Sequence, residues 1–501
     1  MSDESTSGQQ EYLSDESAAS GAVVERLSAV AGASGIGALP AAGGLGPGFE
    51  GNGSIEPTLP ADRPNADAAP IRLRTSLLYS SGNLGAGIFF GFNNFILTLF
   101  LAHLGVPIIL NNLLGSTRSF EGVFIQPVVG AWSDRTWTAR FGRRTIFVLW
   151  FTPISALFVV LTPFLAQLTG LGVPFGLSAG TTAIVLVTVG VFLFTLTFNV
   201  MYDPYQALLA DITPDRQRGG VNGVFQALGA GGQVVILITA ITLTNLNSGA
   251  LPATLLFILT GAFLLIFVLP TIFGIREPRT LPGTLAHHRY TVRDYWAGLR
   301  SDPQVLLYFG AQALLWFGIN AITPNLSYYA VNSLHFSDAQ ALILSFILLL
   351  TSALFVWPFG ILGDRIGLKR TFLLGMLLMA GAALAAVFIR QPIPLYSVLA
   401  VAGVGNAAQT ASSYPLLTRI TLPDRMGLYT GLNGAITSVA APGGALLSGI
   451  LITGFGYSVF FPFVAAMFLL ALAPLAFLRV ERSVAARVLR GELSIPLPEA
   501  A

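Results

Sequence analysis

The chain has no cysteine, and only 10% of its 501 residues carry a charged side chain. The missing cysteines exclude disulfides and thiolate metal sites. The scarcity of charge excludes an ordinary soluble domain, in which about 25% of residues are charged. Lysine occurs once, at Lys369, so nearly all of the positive charge is arginine. In contrast, 53% of the residues are hydrophobic, and this composition indicates a protein embedded in a membrane.

The apolar residues fall into runs of about 20 to 28 residues, which is the length of helix that crosses about 30 Å of hydrocarbon. Backbone in lipid must satisfy its own hydrogen bonds, so these runs are predicted to be helices. Segments with the strict alternation of a membrane β-strand are not visible. Twelve runs are predicted, at 75–102, 107–132, 144–168, 180–209, 219–245, 251–273, 304–331, 339–362, 371–390, 394–418, 428–453 and 457–478.

Basic residues follow every second run, and the alternate connections carry almost none, Arg390 being the exception. Basic connections stay on the cytoplasmic side of a membrane, so both termini are predicted to be cytoplasmic in a multi-pass protein of the cell (inner) membrane. An acidic start, Met1 to Glu4, lacks the basic region of a signal peptide.

The segments outside the runs have a different composition. Residues 1–70 are rich in Ser, Gly, Ala and Pro, which predicts a disordered cytoplasmic tail. Residues 275–303 mix basic and aromatic side chains, and a short amphipathic helix on the cytoplasmic leaflet is favoured over a nucleic-acid patch. The predicted organisation is a tail at 1–70, an N-terminal six-helix bundle at 71–274, a linker at 275–303, a C-terminal six-helix bundle at 304–480 and a cytoplasmic tail at 481–501.

Two loops about 230 residues apart are nearly the same, and each has a Gly, an Asp-Arg pair, and a Gly before basic residues. A second pair of matching stretches contains Pro214-Asp215-Arg216 and Pro423-Asp424-Arg425. Repetition over half a chain predicts two similar bundles, as in membrane transporters. Ion pairs at such helix ends can form in one conformation and break in the other, and the alternative is a basic loop with a weak exposed pair. The predicted gating residues are Asp134, Arg135, Arg143, Arg144, Asp364, Arg365, Lys369 and Arg370.

These loops resemble the cytoplasmic signature of the major facilitator superfamily, and the resemblance covers residues 75–480. More narrowly, the stretches at 104–107, 125–130, 133–135, 140–144 and 207–211 resemble plant sucrose–proton symporters and their animal relatives. The stretch at 202–208 is similar to the helix-four motif of the bacterial glycoside–pentoside–hexuronide cation symporters. The resemblance implies the major facilitator fold, an all-α integral membrane protein with twelve transmembrane helices in two pseudo-symmetric six-helix bundles.

Three charged residues lie inside predicted runs and away from the ends of those runs, where a charge costs at least about 2.5 kcal/mol. Arg118 and Glu121 share one face of the second run, and Asp203 lies in the fourth. Asp203 is predicted to bind the coupled proton, with Glu121 as a second carrier and Arg118 as a modulator. The alternatives are a structural Arg118–Glu121 pair and an Asp203–Pro204 N-cap that restarts a broken helix. The resemblance implies that Asp203 belongs to a cation and sugar site.

Other positions depart from the families that the chain resembles. Gln126 replaces a second acid of the glycoside–cation symporters, which favours a proton over sodium. Gln206 stands where plant sucrose symporters have an Arg, and the first run has no acid, so sucrose itself is in doubt. Amides and aromatic rings suit sugars, although polar side chains in membrane bundles also join helices. The predicted substrate contacts are Asn320, Gln409, Trp316, Tyr328, Gln126, Asn94 and Gln226.

The sequence therefore predicts a secondary active transporter that moves a small glycoside or disaccharide together with a proton by alternating access, and the resemblance implies that it works as a monomer. Its partners are the solute, the proton and the lipid bilayer, and no nucleic acid, metal or other cofactor is expected. An enzyme is not expected, because no motif has catalytic spacing. Two other functions stay open: an exporter of drugs or apolar solutes on the same fold, and a non-transporting factor for membrane assembly or pigment handling.

Overall fold

The computed structural model describes residues 71–116, 125, 128–130, 132–133, 135–214, 217–277, 299–300, 302–421 and 426–489. In this part of the chain the regular structure is helical, with one isolated bridge between Thr138 and Gly142. The helices are α1 (Leu73–His103, with a π-helical turn at Phe92–Ile96), α2 (Ile108–Gly115), α3 (Thr145–Leu165), α4 (Ala179–Ile212), α5 (Arg218–Leu246), α6 (Ala253–Gly274), α7 (Pro303–Asn332), α8 (Asp338–Ile366), α9 (Leu368–Ala386), α10 (Pro392–Ile420), α11 (Met426–Phe455), α12 (Phe460–Phe477) and α13 (Val484–Leu489). Short 3₁₀ helices lie at Thr169–Phe175, Tyr457–Val459 and Val480–Arg482.

Ten of the described helices are long and apolar enough to cross a membrane. The two remaining predicted runs correspond to α10, which has 29 residues, and to the segment that begins with α2. The prediction of an all-α membrane protein is confirmed. The predicted tail at 1–70 and most of the predicted linker lie outside the described residues.

Side chains at helix starts fix several helix boundaries. The Ser178 side chain accepts a hydrogen bond from the amide of Thr181 at 3.2 Å, and Asp302 accepts one from the amide of Gln304 at 2.8 Å. At the start of α8, Ser337 and Gln340 form a reciprocal capping box. These side chains satisfy amides that have no partner inside the helix, which is why the helices start there.

Buried apolar side chains form two main groups that follow the sequence repeat. One group joins α1, α3, α4, α5 and α6, where the rings of Phe89 and Phe198 stack with centroids 3.8 Å apart. The other joins helices α7 to α12, where Tyr329 contacts the rings of Phe460 and Phe461. Each group lies mainly within one half of the chain, and the first also includes Leu342 of α8.

Glycines allow α1 and α5 to touch through their backbones. A Cβ added at Gly87 would meet the carbonyl of Gly229, and a Cβ added at Gly232 would meet the carbonyl oxygen of Leu84. Small residues at a helix crossing permit this close approach, which strengthens packing between membrane helices. The neighbouring Gly231 has open space around its Cβ position.

We expect Gly232→Val to destabilise the protein by about 1–3 kcal/mol, because the added side chain would force α1 and α5 apart. Gly231→Val is the matched control on the same helix and should have little effect. The measurement is the temperature at which the monodisperse peak in size-exclusion chromatography is lost after heating in detergent. Equal temperatures for the two variants would contradict the close crossing.

Candidate functional site

A buried polar and aromatic cluster joins α1, α4 and α5. The Asn83 amide donates to the carbonyl of Phe225 at 2.7 Å and accepts from the Tyr202 hydroxyl at 3.1 Å. The hydroxyls of Tyr79 and Tyr205 each bond to the backbone carbonyl of the other residue. This cluster fixes the C-terminal half of α4 against α1, because every one of these buried polar groups needs a partner.

Asp203 lies directly after Tyr202 on α4 and is half-buried, and its Oδ2 atom is shielded from solvent. Helix α4 runs without a break from Ala179 to Ile212 and has Pro204 in its interior. The alternative prediction, an Asp203–Pro204 pair that restarts a broken helix, is therefore wrong. A proline inside a helix withdraws one backbone donor and bends the helix. In α4 this proline comes directly after the Asp203 carboxylate in the chain.

The predicted partners of Asp203 in the second run, Arg118 and Glu121, lie outside the described residues, as does Gln126. Their proximity to Asp203 stays a prediction. Asn94 lies in the π-helical turn of α1 and is partly buried. The adjacent Asn93 donates to the carbonyl of Gly115 at 3.2 Å, which ties this turn to α2. A π-helical turn is frequent at functional sites.

In the C-terminal bundle the predicted sugar contacts do not all lie together. Asn320 is partly buried, and its amide donates to the carbonyl of Trp316 at 2.9 Å on the same helix. Gln409 is buried and accepts from the hydroxyl of Thr410 at 3.3 Å. Tyr328 instead packs against Tyr457, with ring centroids 6.2 Å apart. Tyr328 thus contacts the 3₁₀ helix before α12, whereas Asn320 lies about two turns and Trp316 about three turns earlier on α7.

One side of the molecule carries the repeated loops, and we call the helix ends around Arg143, Arg144, Lys369 and Arg370 the basic face. Here two arginines are neutralised by two acids of the same half. Arg143 donates to Asp211 at 2.8 Å, and the Nε of Arg144 donates to the other oxygen of Asp211. The side chains of Arg143, Arg144, Asp211 and Glu277 are only 8%, 9%, 12% and 1% exposed. These buried charges therefore form a compact quartet.

Glu277, which follows α6, caps the start of α3. Its Oε2 accepts from the amides of Arg144 at 2.9 Å and Thr145 at 3.4 Å. Burial raises the pKa of Glu277, while the hydrogen bonds from these amides oppose the rise. Gly142 has a φ of +74° and packs against this carboxylate, so a side chain there would be strained and would collide with Glu277.

In the matching loop of the C-terminal half, a cation caps the end of a helix, whereas in the N-terminal half an acid caps the start of one. The Lys369 ammonium donates to the carbonyls of Ala476 at 2.8 Å and Leu478 at 2.6 Å, at the end of α12. A cation there satisfies orphan carbonyls and complements the negative end of the helix. Asp364, Arg365 and Arg370 are exposed. Asp134 lies outside the described residues, and Arg135 is exposed.

Sequence reasoning missed two members of the quartet as gating candidates. Asp211 lies in the stretch at 207–211 that resembles plant sucrose symporters, and Glu277 lies at the start of the predicted linker. The signal for Glu277 was available, because an acid directly after the sixth run stands out in a connection rich in arginine. The described contacts of Arg143 and Arg144 with Asp211 and Glu277 lie within one half.

The other end of α8 carries contacts that join the two bundles, and we call the helix ends around His103 and Asp338 the far face. His103 Nε2 lies 3.2 Å from Asp338 Oδ1, and the amide of Leu251 donates to Asp338 Oδ2 at 3.0 Å. Nearby, the Asn112 amide donates to the carbonyl of Ala445 at 2.9 Å. The two bundles are therefore held against each other at the far face.

Two repeated bundles of membrane-spanning helices, with matching charged loops, define a membrane transporter. The sequence model of the Major Facilitator Superfamily matches residues 79–337 and again residues 308–498. The chain belongs to this family, and the fold predicted from the sequence is confirmed.

Among curated proteins, the chain is similar to sucrose transporters. It is 30% identical over 174 residues to sucrose transport protein SUC3 of Arabidopsis thaliana, covering 32% of this chain and 29% of that protein. It is 27% identical over 183 residues to sucrose transport protein SUT1 of Oryza sativa subsp. japonica, covering 34% and 32%. The chain thus matches about a third of the length of each of these relatives.

Solved structures share the fold at low identity. A bacterial homologue of the iron transporter ferroportin, in an inward-facing state, superposes with a TM-score of 0.61 at 15% identity, covering 81% of this chain and 98% of that one. The nucleoside transporter NupG superposes with a TM-score of 0.56 at 13% identity, covering 81% and 99%. These likenesses establish the fold alone.

We expect Asp211→Ala to destabilise the protein by about 3–5 kcal/mol, because it would leave two buried guanidinium groups without their shared carboxylate. Asp364→Ala removes an exposed carboxylate from the matching loop and should change stability little. The measurement is thermal unfolding of both purified variants in one detergent. A similar loss of stability in both would contradict the distinction between a buried and an exposed acid.

If the contact between His103 and Asp338 keeps the far face closed, its removal should make α11 more accessible to a labelling reagent. Because the natural chain has no cysteine, Ala445→Cys gives a single label site, and Ala445 is fully buried. Adding Asp338→Ala removes the partner of His103 and Leu251, so we expect faster labelling of the purified protein by a polar maleimide. Asp302→Asn in the same background is the control, because it removes one negative charge and keeps a side chain that caps the helix. Equal labelling rates with and without Asp338 would show that this contact does not close the far face.

Proposed function

We propose that this transporter is a proton-coupled symporter for a small glycoside or disaccharide. The observation that carries the proposal is Asp203, a carboxylate whose Oδ2 is shielded inside a membrane-spanning helix. An ionised carboxylate is costly at such a depth, whereas a protonated one is not. A group in this position is therefore suited to take up a proton in one conformation and to lose it in another.

Arg118 and Glu121 complete the proposed coupling group. Their three-residue spacing would place them on one face of the second helix. In the proposed cycle, loss of the proton from Asp203 gives Arg118 a negative partner, and this new ion pair biases the two-state equilibrium between the conformations. Glu121 provides a second acid that can share the proton.

Support for a sugar comes from the chemistry of the candidate contacts and from the sucrose transporters that the chain resembles. Sugars need amides that donate and accept, and flat rings against which the sugar ring can stack. We propose that Asn320, Trp316 and Gln409 of the C-terminal half and Asn94, Gln126 and Gln226 of the N-terminal half line the binding site. The contact between Tyr328 and Tyr457 favours a packing role for Tyr328.

We propose alternating access by movement of residues 71–274 against residues 304–480, with 275–303 as the linker between them. The positive charge of the basic face supports a cytoplasmic location for that face and for both termini, in a cell (inner) membrane. The far face is then external. The predicted gating residues Asp134, Arg135, Arg143, Arg144, Asp364, Arg365, Lys369 and Arg370 would act at the cytoplasmic side, and the protomer would work alone.

We expect Asp203→Asn to abolish uphill accumulation of sugar while exchange of sugar across the membrane continues, because asparagine mimics the protonated acid. The measurement uses purified protein in liposomes with an internal pH dye and a panel of glucosides, maltose, sucrose and monosaccharides. Wild-type protein should acidify the lumen with at least one sugar, and Asp203→Asn should not. Counterflow of the same labelled sugar measures exchange.

The control is Asp302→Asn, which removes one negative charge but keeps a side chain that caps helices well. Its coupled uptake should match that of the wild type. If the sugars of the panel do not acidify the lumen with wild-type protein, the sugar proposal fails. If Asp203→Asn still couples proton uptake to sugar, the coupling group lies elsewhere. Undiminished uphill movement of a drug in that variant would favour an exporter.

A further inference from the structure

The basic face of the C-terminal bundle contains a cavity of about 410 Å³, where α9 begins and α10 and α12 end. Four basic residues line it, namely Lys369, Arg370, Arg419 and Arg479, together with the acid Glu481. Its remaining lining is largely apolar, from side chains such as Leu368, Leu416 and Leu478. A water molecule occupies about 30 Å³ of liquid, so the cavity has room for a phosphate group and several waters.

The repeat shows why positive charge accumulates here. Asp211, which neutralises Arg143 and Arg144, stands three residues before Pro214 in the N-terminal half. Three residues before the matching Pro423 stands Ile420, which is buried. The C-terminal half thus has an apolar side chain in place of the acid, and Arg419 adds a further cation beside it. An anion from outside the chain would supply the missing negative charge.

The lining residues have the chemistry that recognises phosphate. A guanidinium presents a planar fork of N–H groups that matches two phosphate oxygens, and Arg370, Arg419 and Arg479 are exposed and line the same cavity. Lys369 uses two of its three N–H groups on the carbonyls of Ala476 and Leu478, so its ammonium is held at the cavity wall.

The position of the cavity favours a lipid as the source of the phosphate. Phe477, the last residue of α12, is 73% exposed, and Ile366 at the end of α8 is 37% exposed. Both are apolar side chains beside the cationic cavity, so the cavity lies where hydrocarbon gives way to headgroups. Basic pockets between membrane helices on the cytoplasmic side are known to suit anionic headgroups.

We propose that this cavity binds the phosphodiester headgroup of an anionic membrane lipid. The bound headgroup would bridge the start of α9 and the ends of α10 and α12, and would neutralise cations for which the N-terminal half has its own acids. The same phosphate chemistry is also present in soluble phosphate esters, and the experiment below separates the two sources. The proposal does not depend on which solute is transported.

The test uses the full-length protein in neutral detergent and dioleoylphosphatidylglycerol as the probe. Native mass spectrometry counts bound lipid, with dioleoylphosphatidylcholine as the lipid without net charge. Wild-type protein should retain phosphatidylglycerol in preference to phosphatidylcholine. The variant with both Arg419→Gln and Arg479→Gln should bind phosphatidylglycerol at least about tenfold more weakly, the effect of losing one charge-assisted hydrogen bond or more.

The matched control removes the same charge from exposed arginines at the start of α1, with Arg72→Gln and Arg74→Gln together. Its affinity should equal that of the wild type, and equal losses in the two double variants would overturn the proposal, since the attraction would then belong to the whole basic face. If glycerol 3-phosphate stabilises the protein against heat as well as phosphatidylglycerol and displaces it, the lipid assignment is overturned in favour of a soluble phosphate ester. Should the double variant not purify, Arg479→Gln alone must show the weaker binding.

Discussion

The burial of charge at the ends of membrane helices is the constraint on which the rest of this structure depends. Arg143 and Arg144 are almost completely shielded, and such groups are tolerated only when nearby carboxylates and hydrogen bonds neutralise them. Asp211 and Glu277 do so, and they come from the ends of α4 and α6. The quartet therefore fixes three helices of the N-terminal half relative to one another, and the positions of these helices in turn fix the face on which Asp203 lies.

The two halves satisfy the same constraint in different ways. In the first half a carboxylate caps the start of α3, and in the second half an ammonium caps the end of α12. Two halves with similar sequences can therefore differ in the charges that cap their helices. The quartet of the first half balances two arginines with two acids, whereas the second half keeps an excess of cations around a cavity.

Much of the fold could be predicted because hydrophobic length is a local property. The predicted run at 304–331 corresponds to α7, Pro303–Asn332, and the predicted run at 180–209 corresponds to α4, Ala179–Ile212. The boundaries between α8 and α9 differ, because α8 ends at Ile366 rather than at 362 and α9 starts at Leu368 rather than at 371. There Gly367 turns the chain with a φ of +97°, and a helix resumes at once through Lys369 and Arg370. A prediction from hydropathy excludes charged residues from a membrane helix. Lys369 nevertheless lies in the first turn of α9, because its ammonium is bonded to carbonyls at the end of α12.

The sequence by itself determined that this chain crosses a membrane, that it does so in two similar halves, and where its charged loops lie. These properties follow from composition, length and repetition, which need no knowledge of distant contacts. The tertiary structure alone decided that Asp211 and Glu277 neutralise the loop arginines, that His103 faces Asp338, and that Tyr328 packs on Tyr457. Each of these pairs joins residues far apart in the chain, and the strength of an ion pair or a hydrogen bond depends on distance and burial in three dimensions, which residue type does not encode.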